Sequence, residues 1–79
     1  MLPLLGSIDV TVLGSTPVEI HGDRYADLVV EVVGGGSGRE RLRVAAHQVS
    51  RAPQPGDRLR VRFLLGQVDG VEILPETAP

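Results

Sequence analysis

Twelve valines stand in short runs that alternate with polar residues and are bounded by glycine and proline. A β-branched side chain loses χ1 freedom in a helix and packs well on a pleated surface, so such runs favour strands. No stretch with the 3.6-residue period of an amphipathic helix competes with them. The fold class that follows is all-β. The 79 residues read as one domain over 1–79, and its core must be small, because a chain of this size hides only about 60% of the surface it exposes when unfolded. Cysteine is absent, which excludes disulfides and thiolate metal sites and makes a cytoplasmic location the default reading. Met1-Leu-Pro-Leu-Leu5 lacks the basic flank and the length of a signal peptide, and no apolar run reaches the roughly 18 residues of a membrane span.

The alternation divides the chain into five strands. Ser7-Ile-Asp-Val-Thr-Val-Leu13 puts Ile8, Val10 and Val12 on one face, so the first strand covers 6–13 and continues to 20 if Gly14 and Pro17 only bend it. After a turn at His21-Gly-Asp23, the second strand spans 25–33. It is apolar on nearly both faces around Leu28-Val-Val-Glu-Val-Val33, as a central or covered strand would be. Gly34-Gly-Gly-Ser-Gly38 is a flexible connection. The third strand, 39–46, turns Leu42 and Val44 one way and Arg39, Arg41 and Arg43 the other. A link closed by Pro53, Pro55 and Gly56 has room for a short helical turn at most. The fourth strand, 57–67, sets Leu59, Val61, Phe63 and Leu65 against Arg58, Arg60 and Arg62. Asp69-Gly70 has the composition of a two-residue hairpin turn into a fifth strand at 71–75. That hairpin leaves Val71 and Ile73 on the arginine face, a conflict that one extra residue at or beside Gly66 would remove, since a one-residue slip reverses every side chain.

Three strands, a short link and a two-stranded hairpin is the order of the partly open five-stranded Greek-key barrel; an SH3-like barrel is the alternative. The second strand, the Gly-rich loop, Arg41-Leu-Arg-Val-Ala-Ala-His47, the link and Pro55-Gly-Asp-Arg-Leu-Arg-Val-Arg62 resemble the second half of bacterial single-stranded-DNA-binding proteins and of the related primosomal replication protein. The resemblance covers about half of the chain. It implies the oligonucleotide/oligosaccharide-binding (OB) fold, a single-stranded nucleic acid as partner and self-association.

Charge supplies an independent functional signal. All eight basic residues are arginine, and the formal net charge is −2, low for a general nucleic-acid binder. Its distribution is uneven: residues 1–38 carry −4, residues 39–62 carry +5 and residues 63–79 carry −3. Arg39, Arg41, Arg43 and Arg58, Arg60, Arg62 stand at alternate positions, which spaces guanidinium groups about 7 Å apart along each strand, close to the phosphate spacing of a single strand. Arginine donates two parallel hydrogen bonds to a phosphate. Bases stack on aromatic rings, and the chain has two aromatics. Phe63 shares its face with core residues, which leaves Tyr25 for stacking. The competing expectation is neutralisation: a register that sets Glu31 opposite Arg41, with Asp27 nearby, would pair the arginines off.

Enzymatic chemistry finds no support. His21 and His47 lack companions at metal-ligand spacing, no serine sits in a nucleophile elbow, and Gly34-Gly-Gly-Ser-Gly38 lacks the Gly-Lys-Ser/Thr of a phosphate-binding loop. No cofactor or metal is expected. A second binding class does have support. Leu13, Val29, Val33, Leu64 and Leu74 fall on outward faces, and Met1–Leu5 adds an apolar arm. A self-assembling or protein-binding adaptor is therefore the alternative to a nucleic-acid-binding module.

Overall fold

The computed structural model describes residues 3–34 and 38–75. Its elements are β1 (Gly6–Ile20), β2 (Asp23–Val32), β3 (Arg39–Ala45), the 3-10 turn η1 (Ala46–Gln48), β4 (Arg58–Leu64) and β5 (Gln67–Ile73). They form one antiparallel sheet in the order β3-β2-β1-β4-β5.

The long β1 organises the sheet. Its first half, Gly6 to Thr11, pairs with β4, and Val10 to Ile20 pairs with β2. A register shift between Val12 and Gly14 makes Leu13 an extra residue, and such a bulge bends a strand that must serve two neighbours. Pro17 is tolerated because beyond Thr11 one edge of β1 carries no partner strand. The sheet curls until β3 and β5 approach one another. Gln48 ties their ends: its Oε1 accepts from the Ala45 N–H at 2.9 Å and its Nε2 donates to the Val68 carbonyl at 3.4 Å.

Inside the curl lie Val10, Val12, Leu28, Val30, Leu42, Val44, Leu59, Val61 and Phe63, all buried. Ile8, Ala26, Val32, Val68, Val71 and Ile73 pack around them. Alternation assigns Ile8, Val10, Val12, Leu42, Val44, Leu59, Val61 and Phe63 to this side; Leu65, assigned with them, is exposed, and Val68, Val71 and Ile73, which unbroken alternation turns outward, are packed on the core.

The β4–β5 connection corrects the sequence reading. The two-residue turn is Leu65-Gly66, with both residues at positive φ, the mark of the primed hairpin turns. Asp69-Gly70 lies inside β5. There Arg62 pairs with Gly70 and Phe63 with Val68, so Asp69 is the extra residue of a bulge. The face conflict is resolved by one extra residue, but in β5: Val71 opposes Val61 and Ile73 opposes Leu59, on the core side. Gly66 breaks β4 by ending it, and Leu65 leaves the core face for the turn. The β2–β3 register also differs from the expectation. Glu31 pairs with Arg39, Val29 with Arg41 and Asp27 with Arg43. Leu74 is half-buried, its N–H donating to the Arg58 carbonyl at 2.8 Å.

Candidate functional site

Alternation places all six arginines of β3 and β4 on the outer side, where each is exposed. The sheet order then separates them. Between β3 and β4 stand β2 and β1, about 14 Å of sheet at the usual strand spacing, and the curl turns the two series toward different sides. They form two patches.

The patch on β1 and β4 is largely neutralised. Arg60 grips Asp9 with Nε to Oδ1 at 2.9 Å and Nη2 to Oδ2 at 3.3 Å, and Arg62 Nε lies 2.9 Å from Asp69 Oδ2. The bond from Arg60 holds the Asp9 carboxyl below the ordinary aspartate range. Gly70 leaves space for the Arg62 guanidinium, whose Nη2 would lie 3.2 Å from a Cβ placed there.

The patch on β1, β2 and β3 is more open. Across the strands, rows of outward residues run Gly14, Val29, Arg41 and Thr16, Asp27, Arg43. A shallow groove of about 660 Å³ follows them, lined by Thr16, Asp27, Val29, Arg41 and Arg43. Arg43 is held by Asp27 through two bonds, Nε to Oδ1 at 2.7 Å and Nη2 to Oδ2 at 3.0 Å. That bond keeps the Asp27 carboxyl low and raises the Arg43 guanidinium further, so both stay charged. The anchored Arg43 lies over the half-buried Tyr25, with its Cζ 6.0 Å from the ring centroid. Tyr25 also borders a second cleft, about 510 Å³, between Pro17 and the Val49–Gln54 part of the link. Among the described residues, Arg39, Arg41 and Arg58 have no carboxylate within ion-pair distance.

Of the seven residues singled out from sequence, the fold thus brings Arg41 and Arg43 together in the groove, with Tyr25 under Arg43 and Arg39 further along β3, and sets Arg58, Arg60 and Arg62 apart. Sequence reasoning had no means of assigning Asp9 and Asp69 as anchors, because only the pairing of β1 with β4 and the β5 bulge bring them to arginine. Among the described residues no three His, Asp or Glu side chains converge as metal ligands do, and no helix is long and apolar enough to cross a membrane. No family model, curated protein or solved structure matches the chain significantly.

Proposed function

We propose that the chain is a non-catalytic binding module of the OB type that takes a short stretch of single-stranded nucleic acid along the outer groove of β1, β2 and β3. The observation that carries the reading is the conjunction in one groove of Arg41, with no carboxylate within ion-pair distance among the described residues, and the pre-oriented Arg43, which reaches over Tyr25 at the border of the adjoining cleft. Arg39 and Arg41 meet successive phosphates, and Tyr25 offers a face for one base. The strand order supports the class of module: a long β1 shared between β2 and β4, a β4–β5 hairpin, and β3 approaching β5 follow the OB order, in which the face of the second and third strands carries oligonucleotides. With two arginines on phosphates and a net charge of −2, binding is weak and falls as salt rises.

The test is anisotropy of a labelled single-stranded oligonucleotide at two salt concentrations. Arg41→Glu and Tyr25→Ala each abolish most of the low-salt binding, and Arg41→Glu leaves the melting temperature nearly unchanged. Arg60→Glu is the control from the other patch. If it weakens binding as much as Arg41→Glu, a general field and not the groove is responsible, and if the wild type does not bind at low salt the reading fails.

A further inference from the structure

Where β1 begins and β4 turns into β5, four leucines meet in water. Leu4 and Leu5 lead into β1; Leu64 ends β4 and Leu65 opens the turn. The Gly66 N–H donates to the Leu4 carbonyl at 2.8 Å, and Leu4 Cδ1 would lie 3.5 Å from a Cβ on Gly66, so the two segments are tied into one tip. The leucines are 64, 59, 53 and 73% exposed in chain order.

Leu65 stands there against two preferences at once. Its φ is +52°, a left-handed conformation that glycine and asparagine adopt readily and leucine resists. Its side chain, the most exposed of the large apolar ones described, gains nothing from the turn in an isolated molecule. The β1–β2 turn makes the comparison: His21 and Gly22, at φ 52° and 84°, repeat the backbone of Leu65 and Gly66, at 52° and 81°, with a polar residue at the strained position. An apolar residue held in strain at a surface is a reason to look for what buries it.

The edge of the tip indicates what that is. Arg62 and Asp69, 2.9 Å apart, put one charge of each sign beside the leucines. An apolar centre with both signs at its rim is complementary to itself about a two-fold axis, with Arg62 of each copy meeting Asp69 of the other. We propose that the leucine tip is a two-fold interface between two copies of this chain. Four leucines and an ion pair make a small contact, so the dimer belongs to the weak, concentration-dependent class. It leaves the groove of β1, β2 and β3 open.

Sedimentation equilibrium over roughly 10 µM to 1 mM, the range in which small interfaces dissociate, tests it. The wild type moves from the monomer mass toward twice that mass. Leu65→Asn creates the Asn-Gly pair that the turn prefers; it keeps or raises the melting temperature while raising the dissociation constant at least about tenfold. Leu64→Thr, a strand-compatible change, weakens association in the same direction. A wild type that stays monomeric over the whole range, a Leu65→Asn variant that associates like the wild type, or growth beyond a dimer would each overturn the proposal.

Discussion

Phe63 and Asp57 show two ways in which single residues hold this small fold. Phe63 belongs to the core cluster of nine buried side chains among the described residues, and each of these matters because a chain of 79 residues has a net stability of only about 4–12 kcal/mol. Leu59→Ala, which empties a fully buried position on the same face of β4, should cost about 2–5 kcal/mol in urea unfolding, a large fraction of the whole. Asp57 accepts from Arg51 at 2.7 and 3.1 Å and from the Gln54 N–H at 2.8 Å, clamping the link that leads into β4. These bonds, the Arg51 one foremost, hold its carboxyl below the ordinary range. A depressed folded pKa contributes stability that is fully present above the unfolded aspartate value, about 3.9, and is lost as pH falls through the folded value. Melting temperature should therefore fall below about pH 4, and less steeply in Asp57→Asn; identical slopes would count against the clamp.

Bulges and turns carry the geometry at the scale of elements, and their glycines are not equivalent. Gly22 has φ +84° at the β1–β2 turn, where any L residue is strained, so Gly22→Ala should cost about 1–2 kcal/mol. Gly14 follows the β1 bulge without a positive φ, and a Cβ there would meet only Val29 Cβ, at 4.0 Å. Gly14→Ala should stabilise by about 0.4–1 kcal/mol, because it narrows the unfolded ensemble at no native cost. Denaturant midpoints of the two variants shifting in the same direction would refute this reading of the bulge. In β5, Asp69-Gly70 opposes Arg62 with two residues, one supplying the carboxylate and the other the space for the guanidinium.

For the whole molecule, the decisive pairing joins distant parts of the chain: Gly6 lies opposite Phe63 and Asp9 opposite Arg60. Closing such loops costs chain entropy before any ladder bond repays it. Refolding should take milliseconds to seconds, as in small all-β domains dominated by non-local pairing. Stopped-flow fluorescence of Tyr25 would measure it, and microsecond folding would mean that the β1–β4 pairing forms after the observed step. The same pairing sets the charge pattern, since it draws Asp9 to Arg60 and leaves Arg41, across β2 and β1, in an open groove.

The all-β class, the approximate strands and the inward positions Leu42, Val44, Leu59, Val61 and Phe63 were legible in the sequence because a period of two is a local property, and each strand displays it without reference to its neighbours. Register was not legible. The expected pairing of Glu31 with Arg41 and the observed pairing with Arg39 differ by two residues, and an even slip keeps every side chain on its face, so the pattern that reveals the strands is blind to it. The choice between Leu65-Gly66 and Asp69-Gly70 as the hairpin turn belonged to the tertiary structure for a related reason. Both can reverse a chain, and Asp69-Gly70 has the better turn composition, but only the former, with a bulge at Asp69, brings Val68, Val71 and Ile73 back over Phe63, Val61 and Leu59. Burial of those three side chains outweighed the strain of a leucine at positive φ, and with that choice the leucines were left at the tip.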